Sequence, residues 1–154
     1  VRALSKHGAA FATIHGNDSI MAAAAKDKGD MKVLAVTMLT SLDEGDVRDL
    51  GFQVDVKDIV LSRAKRALQL GCDGVISSGL EVAELRKHLG DKFIVVTPGI
   101  RPVKNTDDQK RTVDVEEAFY NGADYIVVGR PIKEHASPKQ AAEDIQRRIK
   151  ALFE

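Results

Sequence analysis

Val96-Thr97-Pro98-Gly99-Ile100-Arg101-Pro102 and, one amphipathic segment later, Tyr125-Ile126-Val127-Val128-Gly129-Arg130-Pro131 are the two stretches whose reading decides the fold. Each is a short apolar run that passes straight into Gly, Arg and Pro. Runs of this length, apolar on both faces, suit strands covered on both sides in a parallel sheet. The first belongs to a run from Phe93 to Thr97, the second to one from Tyr125 to Val128, and three more of the same kind precede them at Phe11 to Ile14, Val33 to Thr37 and Gly74 to Ser77. Between these runs the period becomes helical. Val60, Ala64, Ala67 and Leu68 form one apolar stripe, Val82, Leu85 and Leu89 a second, and Ala142, Ile145, Ile149 and Leu152 a third near the end. Ser78-Gly79-Leu80-Glu81 and Asp114-Val115-Glu116-Glu117 read as capping boxes, and Ser137-Pro138 puts Pro at a first helical position. Gly71, Gly90 and Gly122 each close a helical pattern just before a strand.

Alternation of strand and helix with no linker or low-complexity segment predicts an all-parallel α/β chain of about five strand-helix units, one domain over residues 1–154. A closed (β/α)8 barrel takes about 250 residues. The chain would then supply five of the eight staves, a partial TIM barrel; a doubly wound five-stranded sheet also fits the length. Periodicity does not separate the two.

Composition narrows the function classes. Lys plus Arg and Asp plus Glu both number 23, so no net field gathers polyanions or anionic lipid, and nucleic acid is not an expected partner. No apolar run approaches the roughly 20 residues that span a bilayer, so no membrane association is expected. A single cysteine, Cys72, fits a reducing compartment, with the cytoplasm as default, and reads as a small core filler. His7, His15, His88 and His135 lack ligand spacing, and neither metal nor cofactor is expected. Lys26 to Lys32 reads as a solvated helix end, and Ala22 to Ala25 as a packed helix face. The start Val1-Arg2-Ala3-Leu4, with no Met and no signal pattern, suggests the interior of a longer reading frame.

The chemistry gathers at the two opening stretches. Gly129 permits close backbone approach, Arg130 offers a planar fork of donors suited to phosphate, and consecutive late strands set their loops side by side, where barrels commonly hold phosphate. Thr97-Pro98-Gly99-Ile100-Arg101-Pro102, Asp108-Gln109 and Val128-Gly129-Arg130-Pro131, with Leu34 to Ser41 and Asp73-Gly74-Val75, together resemble the bacterial orotidine 5'-monophosphate decarboxylase family along essentially the whole chain. The resemblance implies a (β/α)8 barrel that works as a homodimer, makes UMP from orotidine monophosphate and uses no cofactor. It also implies that Arg130 and the Gly129 backbone bind phosphate, that Gln109 closes over phosphate and pyrimidine, and that Arg101 lies on the same loop. Thr40 would bond the pyrimidine edge and Pro98 would line the ring pocket.

The reaction itself is a different matter. In the family a Lys within an Asp-x-Lys-x-x-Asp motif delivers the proton, and the resemblance puts that motif, with the first three strands, upstream of Val1. Asp55-Val56-Lys57-Asp58 has the wrong spacing and reads as a helix start. No catalytic residue is therefore assigned, and the chain alone is expected to bind nucleotide weakly without turnover. His15-Gly16-Asn17 departs from the family's His-Ala-x-Gly-Gly. Two unclosed edges, near Phe11 and at Tyr125 to Val128, predict strand exchange or other self-association. Two alternatives stand beside this reading: a noncatalytic phosphate-binding or assembly module built from a partial barrel, and a related sugar-phosphate barrel enzyme such as a hexulose phosphate synthase. The second would need a metal site, and the contexts of Thr40 and Gln109 speak against it.

Overall fold

A computed structural model describes residues 1–101 and 111–154. Its five strands are all parallel and lie across one sheet in chain order: β1 (Phe11–His15), β2 (Lys32–Val36), β3 (Gly74–Ile76), β4 (Ile94–Thr97) and β5 (Tyr125–Ile126). The helices are α1 (Arg2–Lys6) before β1; α2 (Asp18–Lys26), α3 (Glu44–Asp49), α4 (Val56–Gln69), α5 (Val82–Leu89) and α6 (Val115–Tyr120) between strands; and α7 (Arg130–Lys133) and α8 (Pro138–Phe153) after β5. Successive parallel strands joined by helical crossovers are the βα arrangement that the alternating pattern predicts.

Register sorts the side chains into two faces. Ala35, Val75 and Val95 are in register on β2, β3 and β4 and are fully buried against Val60, Ala64 and Ala67 of α4 and Val82 and Leu85 of α5. A second cluster, Ile100, Val113, Val115, Ala118, Ala123 and Ile145, seats α6 and α8 on the β5 end. An Arg148–Glu116 ion pair pins those two helices together, and the Arg148 hydrogen bond holds the Glu116 carboxyl below its ordinary range. Alternation along each strand turns Phe11, Leu34, Ile76, Val96 and Tyr125 the other way.

That opposite face is concave. Four strand spacings of about 4.8 Å would hold β1 and β5 about 19 Å apart in a flat sheet. The rings of Phe11 and Tyr125 nevertheless meet edge to face, centroids 5.3 Å apart. The sheet must curl for its two edge strands to bring these rings together, so it is an arc of a barrel and not a flat doubly wound sheet.

One device starts two of the strands. Gly71-Cys72-Asp73 enters β3 and Gly122-Ala123-Asp124 enters β5, and both glycines sit at positive φ, 90° and 101°, where a side chain would be strained. Each Asp carboxylate then accepts from a backbone amide of a neighbouring strand entry: Asp73 from Val33 at 2.9 Å, Asp124 from Val95 at 2.7 Å. Each pair of Gly carbonyl and Asp carboxylate also shares one cation. Lys28 Nζ donates to the Gly71 carbonyl and to Asp73, both at 2.8 Å, and Arg86 does the same for Gly122 and Asp124.

This arrangement makes the fold pH-dependent. Burial pushes the Asp73 pKa up, but the hydrogen bonds from Lys28 and the Val33 amide and the charges of Lys28 and Lys32 outweigh it and hold the pKa below the usual 3.8. A carboxylate depressed in the folded state stabilises above its unfolded pKa and loses that contribution as pH falls through its folded pKa. Asp73→Asn should therefore cost about 2 kcal/mol at pH 7. Urea midpoints should show this deficit shrinking below the ordinary aspartate range, and a deficit constant down to pH 2.5 would refute the mechanism.

Several local expectations change in the fold. The Ser78–Glu81 capping box does not form: α5 starts at Val82 with Glu81 as its N-cap, because the Glu81 carboxylate is engaged by Arg111. Half of the other box is present, Asp114 accepting from the Glu117 amide at 2.8 Å. Lys28 is an anchor and not merely part of a solvated helix end. Of the alanine run only Ala24 is buried, with Ala22 and Ala23 exposed, and α8 buries Ala141 more deeply than Ala142. The last strand stops at Ile126, leaving Val127 51% exposed. Asp55 does open a helix, α4, and its pairing with Lys57 is exposed. Cys72 is buried in the core, and burial pushes its thiol pKa up. No helix among the described residues is long and apolar enough to cross a membrane.

Candidate functional site

Because every strand runs the same way, the loops leaving their C-terminal ends share one edge of the sheet. Five of the six residues singled out in the sequence lie on these loops. Thr40 follows β2 and is 9% exposed; Pro98 and Arg101 follow β4; Gly129 and Arg130 follow β5. Gln109 lies outside the described residues.

The β4 and β5 loops are built side by side. The Val127 amide donates to the Thr97 carbonyl at 2.9 Å, continuing the β4–β5 pairing one residue past its end. Past Thr97, Gly99 at φ 76° turns the chain so that Ile100 is fully buried and bridges Val113. The Arg101 amide donates to the Val113 carbonyl at 2.9 Å, and its guanidinium donates to the Ile100 carbonyl at the same distance. Gly129 is the N-cap of α7, and Arg130 is its first residue. Among the described residues a Cβ placed on Gly129 would meet nothing within 4 Å, and its φ is −101°, so packing against them does not require glycine there.

Sequence reasoning missed Arg111. The residue is 6% exposed, and its guanidinium donates from Nη1 to Glu81 Oε1 at 2.7 Å and from Nη2 to the Leu39 carbonyl at 2.9 Å. The Arg111 carbonyl in turn accepts from Ser78 Oγ at 3.4 Å. One side chain thus ties the Thr40 loop to the loop leaving β3. The available signal was Glu81 itself, a charge at the helical spacing of Leu85 and Leu89. A row of buried hydroxyls, Thr37, Ser77 and Thr97, ends the three central strands at full burial. Thr37 Oγ1 donates to the Ile76 carbonyl at 3.0 Å, whereas Ser77 Oγ and Thr97 Oγ1 have no hydrogen-bond partner among the described residues.

At β1, Gly16 lies against β2: a Cβ on it would sit 2.5 Å from the Val36 carbonyl oxygen. Asn17 then caps α2 directly, its carbonyl accepting from Met21, so only Gly16 separates the end of β1 at His15 from the cap of α2. A cavity of about 600 Å³ opens at the other end of the sheet, lined by Lys32, Cys72, Asp73, Phe93, Ile94 and Asp124. Its two strand-entry carboxylates are already committed to Lys28 and Arg86, which makes it part of the strand-entry structure. Among the described residues no group of three or more His, Cys, Asp or Glu side chains could hold a metal ion.

Curled parallel βα units with their loop cluster on the C-terminal edge define a chain of the (β/α) barrel class. Residues 1–145 match the model of the Orotidine 5'-phosphate decarboxylase / HUMPS family, and the chain belongs to that family. It is 62% identical over 155 residues to the orotidine 5'-phosphate decarboxylase of Methylococcus capsulatus, covering 99% of this chain and 64% of that protein. With the enzyme of the same name from Nitrobacter winogradskyi it shares 51% identity, covering 91% of this chain and 60% of that one. The crystal structure of orotidine 5'-phosphate decarboxylase from Lactobacillus acidophilus superposes with a TM-score of 0.79 at 36% identity, over 95% of this chain and 66% of that one. The chain thus spans less than two thirds of the length of these relatives.

Proposed function

We propose that this chain forms the nucleotide-gripping part of an orotidine 5'-phosphate decarboxylase of pyrimidine synthesis. The observation that carries the reading is the exit of Pro98, Arg101, Gly129 and Arg130 from adjacent strand ends on one edge, with Thr40 two strands away on the same edge. Arg130 supplies a charge-assisted donor pair to the phosphate and the Gly129 backbone approaches it closely. Arg101 and Gln109 belong to the same grip, Gln109 reaching both phosphate and pyrimidine. Thr40 bonds the pyrimidine edge, and Pro98 gives the ring an apolar wall. No metal or organic cofactor enters this scheme.

Loss of carbon dioxide leaves an electron pair on the ring carbon, and a positioned cation must neutralise that charge and deliver a proton. Those groups belong to an Asp-x-Lys-x-x-Asp segment that the 154 residues do not contain. The working assembly is a homodimer or a strand-exchanged oligomer, in keeping with the edge strands β1 and β5, which have no further strand partner among the described residues. It acts on a free nucleotide in the cytoplasm.

Gly129→Ala tests the phosphate reading. Among the described residues a Cβ there meets no atom within 4 Å, so the thermal midpoint should fall by the equivalent of about 1 kcal/mol or less. UMP affinity by calorimetry should fall about tenfold, because the methyl group occupies the space through which the phosphate approaches. Unchanged affinity would remove Gly129 from the site, and equal affinity of the wild-type chain for UMP and ribose 5-phosphate would remove the pyrimidine from the reading.

A further inference from the structure

We infer that Arg111, through its buried pair with Glu81, is the positioning residue that sets the Thr40 loop in place and thereby tunes selectivity for the pyrimidine; this rests on the nucleotide reading above. The pair is nine-tenths buried at both ends and bridges loops from two different strands. It is poorly made as a stability element. Glu81 Oε2 and Arg111 Nε are buried with no hydrogen-bond partner among the described residues, and desolvating two charges with incomplete pairing offsets much of their attraction. An apolar pair of similar volume could fill the same space at no loss of stability.

What an apolar pair could not do is hold the Leu39 carbonyl. Arg111 Nη2 takes that carbonyl at 2.9 Å and also lies 3.5 Å from the Met38 carbonyl, fixing the backbone immediately before Thr40. Leu39 itself is 52% exposed, so its side chain anchors little, while Thr40 beside it is 9% exposed. The planar fork of the guanidinium lets one arm bind Glu81 while another reaches the carbonyl. Glu81 is in turn fixed by α5, whose Leu85 amide donates to the Glu81 carbonyl at 3.0 Å. Rigidity thus passes from α5 through Glu81 and Arg111 to Thr40.

The test compares the wild-type chain with the double variant Arg111→Met/Glu81→Leu and with Arg111→Lys. The double variant should keep or raise the thermal midpoint, while amide hydrogen exchange at residues 39–42 speeds up by about tenfold and that of β2 does not. Its preference for UMP over ribose 5-phosphate should fall by a similar factor, with affinity for ribose 5-phosphate little changed. Arg111→Lys, which keeps the charge but not the fork, should move exchange in the same direction by less. Unchanged exchange at residues 39–42 in both variants overturns the proposal, as does collapse of the double variant, which would make the pair a fold element. If the wild-type chain binds neither probe, the nucleotide reading fails while exchange still decides the anchoring; if it binds UMP selectively and the double variant keeps that selectivity, the positioning role alone fails.

Discussion

Incubated with orotidine 5'-monophosphate, the 154-residue chain alone should release no carbon dioxide above the buffer background, and adding a separately made segment bearing Asp-x-Lys-x-x-Asp should restore turnover. The reasoning separates binding from reaction. Contacts of Arg130, Gly129 and Arg101 with phosphate would lower the bound substrate and the transition state together, which does not speed the bond-breaking step. A positioned proton donor is worth up to about ten-thousandfold by itself, before the charge network around it is counted. The docking site for the added segment is the unclosed barrel. Phe11 and Tyr125 on the two edge strands are 38% and 50% exposed, and Val127, just past β5, is 51% exposed. Light scattering on the same samples should show the chain self-associated when alone and converted to a stoichiometric complex on addition of the segment. Turnover by the chain alone, its mass confirmed, would refute the division of labour, and a monomer when alone would refute the edge argument.

What was legible in the sequence was whatever local pattern controls. The five strands follow from apolar runs bounded by turn residues, and the glycines that close α4, α5 and α6 follow from the left-handed backbone needed after a helix. The curl of the sheet was not local: it shows in the meeting of Phe11 and Tyr125, 114 positions apart in a chain whose period alone allowed a flat sheet. Glu81 shows the limit most plainly. Ser-x-x-Glu is a sound start signal, yet the carboxylate found a stronger partner 30 residues away in Arg111, and the helix begins at Val82, three residues after the Gly79 start that the box predicts. Lys28 was misread for the same reason, its acceptors lying more than 40 residues downstream. For the site, position was readable because strand ends are, and Thr40, Pro98, Arg101, Gly129 and Arg130 all fall on the expected edge. Their support was not, because Arg111 carries no periodic signature.

Arg86→Met should destabilise the chain by about 3 kcal/mol and weaken phosphate binding with it, a large effect for a residue distant in sequence from the site. β5 is only two residues long: it pairs with β4 through Val96–Tyr125 and Thr97–Ile126, with one backbone hydrogen bond beyond each end, Asp124 to Val95 and Val127 to Thr97. Arg86 supplies what this pairing lacks. Its Nε and Nη2 donate to the Gly122 carbonyl at 2.9 and 2.8 Å, Nη1 to the Phe93 carbonyl at 2.8 Å and Nη2 to Asp124 at 2.7 Å. The guanidinium also stacks over Phe93, 4.7 Å from the ring centroid. Methionine keeps the length and the apolar contact but strands two carbonyls, while the half-exposed Asp124 carboxylate can turn to water. The Arg148–Glu116 pair is the control: both side chains are about one-third exposed, so Arg148→Met should cost about 1 kcal/mol or less. Arg86→Lys should rescue only part of the loss, since an ammonium cannot span the Phe93 and Gly122 carbonyls as a planar fork does. Displacing β5 carries Gly129 and Arg130 with it, so UMP affinity should drop in Arg86→Met and hold in Arg148→Met. Equal losses of stability in the two variants would mean that β5 is held by its packing on α6 and α8, and that Arg86 is one surface charge among many.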